Sequence, residues 1–180
     1  MTLEETPLFG AWLVDADRIS DERGYLARTF DRERWSARGM DPRVAQCNTS
    51  FNERAGTLRG MHLQAEPHGE PKLVRCTRGA IHDVIVDLRP ESDTHGRWFG
   101  VGLSAENGRA LYVPTGLAHG FQTLEHASEV LYMMGYEYVA EAASGVRWDD
   151  PAFAIDWPDP PPWGRTISER DAAYSDYPLV

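Results

Sequence analysis

Hydrophobic and polar positions alternate with a period of two in residues 80–89 (AIHDVIVDLR). His82, Val84, Val86 and Leu88 share one face, and Ile81, Asp83, Ile85 and Asp87 share the other. That period belongs to a β-strand. The same pattern predicts strands over Lys72–Thr77, Phe99–Leu103, Ala110–Val113, Phe121–Leu124 and Val130–Tyr138, with turns at Arg78-Gly79, Asn107-Gly108 and Thr115-Gly116. Many short strands without regularly interposed helices indicate an all-β sandwich or barrel. Asp31–Arg38 (DRERWSAR) is the best helix in the first half. A second helix starts at Ser168, where Ser-Glu-Arg-Asp has capping-box form with Asp in place of Glu. The Pro-rich stretch Trp157–Trp163 (WPDPPPW) reads as an extended connection, so residues 1–180 form one domain whose tail, from about residue 158, packs on the barrel.

Composition narrows the class. A chain of 180 residues with 42% hydrophobic side chains is long enough for one sizeable core. Its net charge of −10 and lack of a Lys/Arg run argue against nucleic acid or an anionic membrane as partner. No apolar stretch approaches the roughly 18 residues of a membrane span, and MTLEETPLFG carries no secretory pattern, so a cytoplasmic protein is expected. Cys47 and Cys76 form no CxxC pair and are read as reduced. Of 18 basic residues only Lys72 is a lysine. It is either a chance survivor in an arginine-rich chain or a site where a compact ammonium is needed.

Two segments carry candidate chemistry. Gly108-x5-Pro114-x-Gly116-x2-His119 places a His just after a tight turn, and Gly56-x5-His62 places another at the end of a comparable strand. They resemble the two halves of the cupin signature, which implies a cupin-type jelly-roll barrel, here with a few short helices. In that signature a His-x-His pair, a Glu and a last His hold a metal. Here the second position is Gln64, and the nearby carboxylates Glu66 and Glu70 are poorly spaced. Metal sites need their ligands in fixed geometry, so no catalytic metal is expected and the His pair is left for proton transfer.

A longer resemblance covers about residues 7–172. The runs DERGYLARTF, TLRGMHLQ, PKLVRCTRGAIHDVIVDLR, WFGVGLSAENGRALYVPTGLAHGFQTL, EVLY and GVRWDDPAFAIDWP are similar to those of the dTDP-4-dehydrorhamnose 3,5-epimerase family of nucleotide-sugar enzymes. The resemblance implies inversion of a carbon beside a ketone, which needs a base, an oxyanion stabiliser and an acid, and no cofactor. It assigns the base to His62, which Asp171 orients and charges. Lys72 faces the keto oxygen and Tyr132 donates a proton on the opposite face. Tyr138, six residues beyond Tyr132 and so on the same strand face, is a pocket aromatic. Arg23 and Arg59 match contacts to the diphosphate and sugar, Gln46 and Asn48 match a base-reading loop, Arg170 matches a basic residue near the nucleotide, and His119 matches a substrate contact. It also implies a homodimer.

Each assignment has a plainer rival. Asp171 also suits the third position of a helix cap led by Ser168, and Tyr132 suits core filling. Four positions depart from the family pattern: Arg28, Cys47, Leu63 and the stretch at Ala143, all at nucleotide- or sugar-binding positions. The base, the sugar and the number of inverted centres are therefore open. A 3-epimerase or ketoisomerase of a CDP- or GDP-linked sugar, or a cupin that binds a sugar nucleotide without turnover, fits the same residues. Gly100-x-Gly102-x2-Ala105 lies in a β-pattern, where a dinucleotide fold needs a helix.

Overall fold

The computed structural model describes residues 1–178. In chain order the strands are β1 (Thr2–Glu5), β2 (Trp12–Asp15), β3 (Arg18–Asp21), β4 (Gly24–Ala27), β5 (Gln46–Asn52), β6 (Leu58–Gln64), β7 (Lys72–Arg78), β8 (Ala80–Asp87), β9 (Trp98–Ser104), β10 (Arg109–Val113), β11 (Leu117–Thr123), β12 (Ser128–Met134) and β13 (Ala143–Gly145). Two helices, α1 (Arg32–Ser36) and α2 (Glu169–Ala172), complete the fold with one 3-10 turn, Ala140–Ala142.

A six-stranded sheet in the order β1-β2-β10-β7-β12-β5 faces a five-stranded sheet in the order β13-β6-β11-β8-β9, and β3 and β4 form a separate hairpin. All the described strand pairings within the sheets are antiparallel. This is the jelly-roll sandwich of a cupin-type fold. Between the sheets, Val74, Cys76, Leu111, Val113 and Val130 of one meet Ile81, Ile85, Leu103, Leu117 and Phe121 of the other. Each such side chain contributes roughly 1.5–3 kcal/mol on leaving water.

The two faces of β8 divide as the alternation requires. Ile81 and Ile85 enter the inner core, while Val84 and Val86 lie on the outer face beneath Val146 and Phe153. On the outer face of the six-stranded sheet, Trp35 of α1 packs edge-on against Tyr112, with ring centroids 5.4 Å apart. The segment from Val146 to Trp157 therefore covers one sheet and the α1 region covers the other.

Three expectations need correction. The helix over Asp31–Arg38 is shorter: Asp31 caps it by accepting the Arg34 N–H, and it ends at Ser36, before Gly39 turns the chain at a φ of 72°. The strand over Val130–Tyr138 starts earlier and stops at Met134. There Gly135 passes so close to Pro71 that a Cβ would lie 2.6 Å from its ring, and its N–H bonds to the Pro71 carbonyl. Tyr138 is therefore not on the strand that carries Tyr132. Finally, β1 to β5 and β13 lie where the pattern predicts no strands. β1 to β4 and β13 have four residues or fewer, too short to show a clear period, and β5 (QCNTSFN) is nearly all polar, so Gln46 and Asn48, expected in a loop, stand on a strand.

Candidate active site

His62 stands near the C-terminal end of β6, paired in register with His119 of β11. These two strands run unusually close. A Cβ on Gly60 would lie 2.5 Å from the Gly120 Cα, and Gly60 holds a φ of 132°. Only glycine fits this conformation and this approach. The contact brings α2 to the same place. The Gly60 N–H donates to Asp171 Oδ2 at 3.1 Å, and Asp171 Oδ1 lies 2.8 Å from His62 Nε2. The carboxylate accepts, so the ring donates from Nε2 and leaves Nδ1 with the lone pair that can take a proton.

Asp171 makes the cap contact and the histidine contact at once. Its backbone N–H bonds to the Ser168 hydroxyl, which caps α2, while its carboxylate turns away to His62 and Gly60. Burial opposes its ionisation, yet the His62 ring, the Gly60 N–H and the Ser168 hydroxyl together hold it below the ordinary carboxylate value.

The opposite wall comes from the six-stranded sheet. The register sets Asn48, Tyr132 and Val74 in one cross-strand row and Gln46, Met134 and Lys72 in the next, so these side chains share the inward face. A cavity of about 220 Å³ lies between the sheets, lined by His62, Leu63 and Gln64 of β6, by Glu70 and Lys72, by Tyr132 and Met134 of β12, and by Tyr138, Ala143, Ser144 and Arg170. Burial, reinforced by the Asp83 carboxylate and only partly offset by Arg59, drives the Tyr132 phenol far above its ordinary pKa, so it stays protonated. Lys72, 5% exposed, donates from Nζ to Glu70 Oε1 at 3.0 Å.

An adjoining groove is lined by Thr57, Leu58, Arg59, Thr166, Ile167, Ser168 and Asp171, and shares His62 and Arg170 with the cavity. Arg59 is braced there by Asn52, whose Oδ1 accepts from its Nε at 2.8 Å. The phenol of Tyr138, then that of Tyr174, sits beside the Arg170 guanidinium and raises its pKa. Tyr138 reaches the cavity from the irregular segment after β12, its N–H bonded to Gln46 Oε1.

Four predicted residues line neither the cavity nor the groove: Gln46 and Asn48 on β5, His119 and Arg23. His119 is 4% exposed and sits behind Tyr132, its Nε2 2.8 Å from Asp83 Oδ1 and its ring edge-on to the phenol. Arg23 lies on the exposed β3–β4 hairpin, paired with Asp21 at 2.6 Å, and lines neither the cavity nor the groove. Of the departing positions, Leu63 and Ala143 are on the cavity wall, whereas Cys47 lies exposed on β5 and Arg28 pairs with Asp31. Among the described residues, no group of three or more His, Cys, Asp or Glu side chains is placed to hold a metal ion. Glu70, weighed in the sequence only as a metal ligand, joins the site through the ammonium instead. Its position two residues before the single lysine was the signal available.

A His–Asp pair, an ammonium and a protonated phenol around one cavity are the parts needed to move protons beside a carbonyl. The sequence profile of dTDP-4-dehydrorhamnose 3,5-epimerases matches residues 5–177. The chain belongs to that family. A dTDP-4-dehydrorhamnose 3,5-epimerase of Methanothermobacter thermautotrophicus is 45% identical over 93% of this chain and 89% of its own length. The crystal structure of the enzyme of that name from Elizabethkingia anophelis superposes with a TM-score of 0.93 at 35% identity, covering 98% of this chain and 96% of the other. A 3'-monoepimerase from Streptomyces bikiniensis, solved with dTDP-quinovose, gives 0.87 at 34% identity over 95% and 85%. Proteins described as a 3,5-epimerase and as a 3'-monoepimerase thus both superpose on this fold.

Proposed function

We propose that this chain inverts carbon 3, carbon 5 or both of a dTDP-linked 4-keto-6-deoxyhexose through an enolate. The observation that carries the reading is the placement of His62 and Tyr132 on opposing sheets of one cavity, with Lys72 on its wall. His62 Nδ1 takes the proton next to the ketone while Asp171 stabilises the imidazolium that forms. The Lys72 ammonium meets the negative charge on the former keto oxygen. Tyr132 returns a proton to the other face. Arg59 and Arg170 in the groove suit the diphosphate, and Gln46 and Asn48 of β5 are assigned to the base. His119, held by Asp83, backs Tyr132.

The enzyme acts as a cytoplasmic homodimer in this reading. The β3–β4 hairpin leaves Ile19 and Leu26 more than 70% exposed, apolar surface that a second copy would cover. Arg23 on the same hairpin would then serve the diphosphate bound to that copy. A 20.2 kDa species in sedimentation at micromolar concentration would contradict the dimer.

The decisive test is incubation with dTDP-4-keto-6-deoxyglucose in deuterated water, with exchange at each carbon read by NMR. Exchange and inversion at carbon 3, with or without carbon 5, support the reading. Exchange confined to a CDP- or GDP-linked sugar, or a shifted carbonyl, favours the rival isomerases. Binding without exchange for every 4-keto sugar leaves a non-catalytic binding protein.

A further inference from the structure

Glu70 is the only carboxylate among the described residues lining the cavity. An anion there opposes the negative charge that an enolate develops, so the reaction by itself gives it no task. Its side chain is 8% exposed, and both oxygens are engaged: Oε1 accepts from Lys72 Nζ and Oε2 accepts from Gln64 Nε2, each at 3.0 Å. The Gln64 amide is fixed in turn, because its Oε1 accepts the Val139 N–H at 2.6 Å and its Nε2 lies within reach of the His68 and Glu137 carbonyls.

The surroundings make Glu70 necessary to the ammonium. The other groups around the cavity are His62 from β6, Tyr132 from β12, Tyr138 from the following segment and Arg170 from α2. None of them supplies a negative charge, and Asp171 is committed to His62. Among the described residues, Glu70 is the one hydrogen-bond partner of Lys72 Nζ. A buried cation without such a partner is strongly disfavoured and its flexible stem has no preferred direction.

We propose that Glu70 is a positioning residue for the reaction: clamped by Gln64, it holds the Lys72 ammonium against the cavity wall before substrate arrives. The inference rests on the reading above in which Lys72 stabilises the enolate. It also accounts for Gln64, which stands at the signature position for a second metal-binding His and here orients a carboxylate towards an ammonium.

Glu70→Gln is the direct test, because an amide can accept from only one of the two donors and must turn its own NH2 towards the other. The expected result is a 10- to 100-fold fall in kcat, on the scale of an ångström-sized misplacement, with KM changed less than about threefold. Glu70→Asp, which keeps the charge but not the reach, stays impaired. Because Lys72 is the only lysine, 15N-lysine labelling yields one Nζ signal. In the wild type its protons are held and visible at neutral pH, and in Glu70→Gln they are lost to exchange with water. Lys72→Met, with exchange abolished, serves as the reference.

Wild-type exchange together with a Glu70→Gln variant of unchanged kcat overturns the inference. So does a wild-type Nζ signal that behaves like free lysine, whether or not the variant folds. Absence of exchange by the wild type overturns the epimerase reading instead, and the Nζ signal then decides the pairing alone.

Discussion

His62 Nε2 and Asp171 Oδ1 lie 2.8 Å apart across a sequence separation of 109 residues, and the second oxygen of the same carboxylate takes the N–H of Gly60, two residues before the histidine. The pair is thus tied to β6 at two points, which fixes both the ring orientation and its tautomer.

Asp171→Asn keeps the acceptor for the Gly60 N–H but turns an NH2 towards His62 Nε2. The ring must then carry its proton on Nδ1, the nitrogen that is to act as base. The expected loss in kcat is about 10²–10⁴-fold, with the fold retained because Ser168 still caps α2. Steady-state kinetics alongside circular dichroism checks both halves.

Tyr132→Phe separates the two proton transfers. The Tyr132 hydroxyl makes no hydrogen bond to protein among the described residues, so its removal should shift the melting temperature by only a few degrees, which scanning calorimetry reads. Inversion should fall by about 10²–10⁴-fold while deuterium still enters from the His62 side. Equal loss of exchange and inversion would remove Tyr132 from the role of acid. Because burial keeps the phenol protonated, wild-type activity should not fall between pH 7 and 9 through Tyr132, a point that a pH–rate profile tests.

Gly60→Ala places a Cβ against the backbone of β11 and imposes a positive φ on alanine. Since neither strand can give way as a side chain would, the strands must part and the Gly60–Asp171 bond loosens. A destabilisation of about 2–4 kcal/mol is expected from strain of this kind. Activity should fall with it, measured by urea unfolding and by exchange at a temperature where the variant is folded.

Asp87 offers a pH test away from the site. It is fully buried, and burial alone would raise its pKa. Hydrogen bonds from Arg89, Ser92 and Thr94 outweigh that and bring it down to about 2. A carboxyl lowered in the folded state stabilises above its unfolded value near 4, and that contribution is lost as the pH falls from about 4 through 2. It amounts to about 2 kcal/mol at neutral pH. Asp87→Asn should therefore unfold more readily at pH 7 and show a shallower decline in stability between pH 4 and 2, as followed by chemical denaturation at each pH.

Much of the fold was legible because inner and outer positions obey a simple period. The strands around Val84, Leu111 and Phe121 alternate or run apolar, and Gly and Asn mark their turns. The short strands before residue 30 were not legible, since four residues hold no more than two of either face. Tyr138 shows a related failure. A period of two placed it on the strand of Tyr132, whereas Gly135, squeezed against Pro71, ends that strand, and the residue reaches the cavity by another route.

The amino-acid order alone determined an acidic all-β domain, the turn glycines and the candidates His62, Lys72, Tyr132 and Asp171. The fold class and turns are written locally, in side-chain chemistry and spacing, whereas the four candidates were singled out by resemblance to a family pattern along the chain. Tertiary structure decided that Glu70 meets Lys72, that His119 stands behind Tyr132 and that Arg23 stays apart from the cavity. Such contacts depend on which strands become neighbours, in which register, and how closely two backbones can pass. None of these is a property of any one segment, because each arises only when the sheets close over a common core.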